Sequence, residues 1–167
     1  MTQSQPSPQP QQAPKREFAW KSDHAFVKIS AEESDGRYTL IEDNVTAEFR
    51  LPLHLHREHA EAFYLVSGEV EFTVREATNP ENSNASSGVV ATGQRIVRLT
   101  PGNSLFIPPG VPHSVRCVAP AKMLTLYQPG GLELLFEAYA AMSDADMADP
   151  AKLRAVDLAH DHVALEG

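Results

Sequence analysis

The stretch Leu51–Gly68, LPLHLHREHAEAFYLVSG, constrains the fold more than any other part of the chain. His54 and His56 stand two apart, and alternate residues of a β-strand project to one face, so an extended segment aims both imidazoles at one point. Glu61 follows His56 by an odd number of residues, which in an unbroken strand would send its carboxylate to the opposite face. A turn or bulge is therefore expected at Arg57-Glu58-His59. Ala62–Ser67 then reads as a second, buried strand ending at a Gly68 turn. Two imidazoles and a carboxylate meeting from adjacent strands suit Fe, Mn, Co, Ni or Zn.

A second stretch, Gly102–Cys117 (GNSLFIPPGVPHSVRC), runs a short apolar strand into the stiff turn Pro108-Pro109-Gly110. His113 opens the strand that follows. If His113 points inward, Val115 and Cys117 do too, because they share its parity. Cys117 then either lines a cavity behind the metal or is a small buried hydrophobe.

The 167 residues give room for one domain with a real core. Many short strands separated by Gly and Pro turns, followed by a little helix, argue for an all-β barrel or jelly roll with a helical tail, able to enclose one small ligand. Residues 1–16, rich in Gln, Pro and Ser, read as a disordered tail, 17–130 as the barrel, and 131–167 as a C-terminal helical segment packing on it. The Asn- and Ser-rich run 77–93 reads as an enlarged surface loop. Asp149-Pro150 signals a second helix after LELLFEAYAAM. His160 and His162 fall near its end, where i, i+2 side chains diverge, so they serve only as cationic groups at a helix C-terminus. Arg57, Glu58 and His59 read as a solvated turn.

A net charge of −8 argues against nucleic acid as partner, and one cysteine excludes an internal disulfide framework. No apolar run reaches the length of a membrane span, and the polar N-terminus lacks a signal-peptide pattern, so a cytoplasmic protein acting on a small molecule is expected.

The two stretches together resemble the cupins. His54, His56, Glu61 and Gly68 stand at the spacing of the first cupin motif, and Gly102, Pro108, Gly110 and His113 are in register with the second. The chain departs from the pattern at Glu48, where the first motif has glycine, and at Cys117, where the second has asparagine. The resemblance implies the cupin double-stranded β-helix over roughly Phe18–Gly130. It also implies one divalent transition metal (Fe, Mn, Ni, Co, Cu or Zn) held by His54, His56, Glu61 and His113, and a homodimer, since cupin barrels commonly pair.

Within the cupins, HREHAEAFYLVSGEVEF, PGNSLFIPPGVPHSV, PGGLELLFEAYAA and the terminal ADPAKLRAVDLAHDHVALEG look most like single-domain proteins of the quercetin 2,3-dioxygenase type. That likeness implies opening of a flavonol ring with O2 and release of carbon monoxide. Glu61 would be catalytic as well as a ligand, taking the proton from the substrate hydroxyl. Phe63, Tyr64, Phe72, Phe106, Cys117 and Met123 are the candidate substrate wall. Two other classes stay open: a metal-dependent isomerase, lyase or hydrolase on a small polar substrate, and a ligand-binding cupin without chemistry.

Overall fold

Alternation decides which face of each strand is buried. In β3 (Thr39–Val45) every second residue, Thr39, Ile41, Asp43 and Val45, is buried. The computed structural model describes residues 16–75 and 93–165. The tail expected over 1–16, apart from Arg16, and the loop expected over 77–93, apart from Gly93, lie outside the described residues.

The strands before β3 are β1 (Arg16–Ala19) and β2 (Asp23–Ile29), and after it come β4 (Arg50–Leu55), β5 (Ala60–Arg75), β6 (Gln94–Leu99), β7 (Ser104–Ile107) and β8 (His113–Gln128). Neighbours run antiparallel in the order β1-β2-β3-β8-β4, while β5 pairs with β6, β7 and β8. The spine is the pairing of β5 with β8, each 16 residues long. This corrects the reading of a short strand, Ala62–Ser67, ending at a Gly68 turn. Gly68 sits in a run of bulges inside one continuous strand, where register shifts between Leu65 and Val70 bend β5 around the barrel. The result is the all-β jelly-roll barrel that the turn pattern anticipates.

Phe63, Leu65, Val70, Phe72, Val115 and Cys117 are central to the larger apolar cluster, and Ala25, Ile41, Tyr127 and Leu132 form a smaller one against Trp20 and Phe136. Burial of a side chain such as Phe72, fully enclosed, stabilises by about 1.5–3 kcal/mol.

The C-terminal segment forms α1 (Glu133–Ala141), α2 (Asp144–Met147), α3 (Pro150–Ala159) and a short strand, β9 (Val163–Ala164). Glu133, buried, anchors α1 to the barrel: its carboxylate accepts from the Ala31 N–H at 2.6 Å, from the Gly131 N–H at 3.1 Å and from the Thr39 hydroxyl. Asp149 caps α3 through the Ala151 and Lys152 N–H groups. The segment is not wholly helical, because β9 pairs with β4 beside His54 and Leu55. Among the described residues no helix is long and apolar enough to cross a membrane.

Candidate metal centre

Register brings the candidate ligands together. His54 on β4 is directly opposite His113 at the start of β8, and Glu61 on β5 lies between Ile107 of β7 and Tyr127 of β8. The chain turns at Arg57–His59, which restores Glu61 to the face of the histidines. His54, His56, Glu61 and His113 are all buried, and one donor atom from each lies within 4.8 Å of the others.

The outer ring nitrogens explain the aim of the inner ones. The Nδ1 atoms of His54, His56 and His113 lie 2.8, 2.7 and 3.1 Å from the carbonyl oxygens of Pro52, Asp161 and Val111. A carbonyl can only accept, so each Nδ1 carries the proton and each Nε2 is left as a donor atom facing the centre. His113 Nε2 and Glu61 Oε2 approach to 2.8 Å, and among the described residues neither atom has a further hydrogen-bond partner. Such orphaned buried atoms, converging on one point, are the arrangement one divalent metal ion satisfies.

Burial, followed by the neighbouring His113 and His162, pushes the His54 imidazole down to about 2, and burial also lowers His56. Both are held neutral, the state a metal requires. Burial works the same way on His113, but the adjoining Glu61 carboxylate outweighs it and raises that imidazole.

Two residues outside both motifs complete the site. Asp161, at φ +57°, offers its carbonyl to His56 and its carboxylate to the N–H groups of Arg57, Glu58 and His59 at 2.8, 2.9 and 3.0 Å, and lies 2.7 Å from His59 Nδ1. The turn that reads as solvated is thus tied down from within. His162 stacks on His54 with ring centroids 4.4 Å apart and planes 11° apart. Burial and the neighbouring His56 push it down to about 4, so it is a neutral wall of the site rather than a cation at a helix end. The helix stops at Ala159, and i, i+2 residues beyond it no longer follow helical spacing. The available signal was the left-handed-tolerant Asp161 placed just after a helix end.

The tetrad opens into a cavity of about 520 Å³. Phe63 and Met123 line it, joined by Trp20, Phe49, Leu132 and Phe136, which lie outside the expected substrate wall. Tyr64 and Phe106 face outward, 46% and 64% exposed: Tyr64 has the opposite parity to Glu61, and Phe106 pairs with outward Ala62. Phe72 and Cys117 point inward but pack in the apolar core and do not line the cavity. Burial raises the Cys117 thiol, as befits a small hydrophobe.

No family model matches the chain, and no curated protein matches it. Solved structures do. KdgF from Halomonas sp. is similar with a TM-score of 0.53 at 14% identity, over 73% of this chain and 93% of that one. Oxalate decarboxylase from Bacillus subtilis gives 0.57 at 14% identity over 91% of this chain, which spans only 40% of the decarboxylase. Ectoine synthase from P. lautus gives 0.51 at 16% identity, over 69% and 70% of the two chains. At these identities the likeness shows the fold, and that fold is the cupin barrel. Inside that barrel the histidine–carboxylate tetrad forms a group able to hold one divalent metal ion.

Proposed function

We propose that this cupin is a metal-dependent dioxygenase of the quercetin 2,3-dioxygenase type, taking an enolic small molecule and O2. The observation that carries the reading is the cavity itself, in which the tetrad meets a wall of Trp20, Phe49, Phe63, Met123 and Phe136. A metal ion held by His54, His56, Glu61 and His113 supplies Lewis acidity toward an enolic oxygen and, if redox-active, an electron path to O2. The aromatic wall holds a planar ring and excludes water from it. Glu61 sits where a hydroxyl brought to the tetrad falls within hydrogen-bond range, and so takes its proton. A homodimer belongs to the same proposal; the outward Tyr64, Val66 and Phe106 offer it apolar surface.

The test is oxygen uptake by metal-loaded protein on addition of quercetin and simpler enols. Uptake stoichiometric with enol consumed supports the proposal, and enol stable under O2 removes it. A second reading, a metal-dependent isomerase or lyase, is favoured by the two carboxyl groups of Asp23 and Asp43 on the same cavity wall, since proton transfers alone serve that chemistry. Turnover that persists without oxygen would select it.

A further inference from the structure

The cavity has a second polar corner besides the tetrad. Asp43 on β3 stands opposite Ala25 of β2, and Asp23 lies two residues along β2 from Ala25, so the two carboxyl groups share the inner face. Both line the cavity into which Glu61 and His113 turn their unpartnered atoms. Asp43 is 4% exposed, and the Thr125 hydroxyl donates to its Oδ2 at 2.8 Å. The Oδ1 atom of Asp23 is buried with no hydrogen-bond partner.

A carboxylate buried without a cation is costly, and among the described residues no cation answers these two. Arg50, on the cavity wall, directs its Nη1 to the carbonyl oxygens of Ala47, Phe49 and Cys117. Lys28 and Lys122 are engaged by Glu42, whose parity on β3 is opposite to that of Asp43. The other ionisable groups of the cavity are the tetrad itself (His54, His56, Glu61 and His113), Tyr127 on β8, Tyr139 on α1, Asp157 on α3 and the neutral His162. Burial first, then the Asp23 charge, pushes Asp43 up to about 8, against the Thr125 hydrogen bond. Burial pushes Asp23 up to about 7. A pair of this kind retains a proton at neutral pH.

We propose that Asp23 and Asp43 form a neighbouring pair of cavity carboxyl groups that donates a proton to a second oxygen of the substrate while Glu61 takes the proton of its enolic hydroxyl. The inference rests on the metal-enzyme reading in one respect, the role of Glu61. Its substrate class is an enol carrying a further hydroxyl or carbonyl oxygen away from the metal. One proton moves from the substrate O–H to Glu61 and one from the pair to the substrate. Return of the Glu61 proton to the pair through solvent restores both groups, and no oxidant or reductant enters these steps.

Infrared difference spectra of metal-loaded protein, taken with pH and with quercetin as probe, test this. A protonated-carboxyl stretch should be present at pH 7, titrate between about pH 6 and 9, lose its higher-pH component in Asp43→Asn, and titrate at lower pH in Asp23→Asn, where the neighbouring charge is gone. It should also shift in frequency when quercetin binds, occupancy being read from the visible absorption of the flavonol. A wild-type spectrum with no such stretch at pH 7 overturns the proposal, as does a stretch indifferent to saturating quercetin. Should Asp43→Asn fail to fold, the half-buried Asp23 carries the test through its own variant. A quercetin-induced shift without oxygen uptake removes the dioxygenase reading and leaves the pair standing.

Discussion

Asp161 controls the site without touching its centre. Its carbonyl fixes the proton of His56 on Nδ1, and its carboxylate gathers three backbone N–H groups of the turn that delivers Glu61. Burial alone would raise that carboxyl, but the four donors, His59 foremost, hold it below the ordinary range. Partners that orient metal ligands are typically worth about 10–100-fold in affinity, so Asp161→Ala should weaken metal binding by that order and lower stability by about 1.5–3 kcal/mol. Asp161→Asn, which keeps the left-handed backbone and the carbonyl, should recover most of the affinity. Metal titration calorimetry and urea unfolding of the two variants check this, and wild-type affinity in the alanine variant would refute the role. That the four candidate ligands converge was legible in the sequence because the geometry is local: a two-residue spacing, a turn and a stiff Pro-Pro-Gly. Asp161 was not, because its partners lie more than 100 residues away in the chain.

Among the elements, β5 and β8 carry the barrel, and they depend on Gly68. Its φ is +83°, and a Cβ there would lie 2.2 Å from the Pro120 carbonyl oxygen and 2.5 Å from the Ala121 Cα. Both obstacles are backbone of the paired strand, which cannot step aside as a side chain could. Gly68→Ala should therefore cost about 2–4 kcal/mol, combining a left-handed conformation with overpacking. Gly36 makes the control: its φ is +73° but nothing lies within 4 Å of an added Cβ, so Gly36→Ala should bear only the conformational part, about 1–2 kcal/mol. Equal losses for the two in urea unfolding would show that close approach at Gly68 is unimportant. The same glycine explains why strand lengths were misread. A positive-φ residue is as much at home in a bulge as in a turn, and the choice is made by the register of β8, which local sequence does not encode. Parity, in contrast, was readable: Phe63 shares the face of Glu61, and that alone separates it from Tyr64.

At the scale of the whole molecule, the barrel buries ionisable groups that stabilise it only in particular protonation states, so its stability should vary with pH in a predictable sense. Asp23 and Asp43 are pushed up to about 7 and about 8 in the folded chain, whereas unfolded they titrate near the ordinary aspartate value of 3.8. Between those limits the folded state binds more protons than the unfolded one, so stability falls as pH rises. The contribution is whole below about pH 4 and gone once the pH has passed about 8, amounting to a few kcal/mol. Asp161 and Asp146, held low by their hydrogen bonds, act in the opposite sense and lose their contribution as pH falls through the acid range. In metal-free protein His54, His56 and His162, held neutral by burial, likewise act in the opposite sense to the aspartate pair below their ordinary value of 6.5, so urea midpoints should decline only from about pH 7 to pH 8, and Asp43→Asn should lessen that decline while leaving the acid limb as it is. A wild-type curve flat from about pH 7 to pH 8 would mean that the pair is ionised, with water or an ion offsetting its burial. This coupling could not be read from the sequence, in which Asp23 and Asp43 look like ordinary polar residues of short strands. It arises from the β2–β3 register that turns both inward, and from a barrel wall whose described residues offer no cation to meet them.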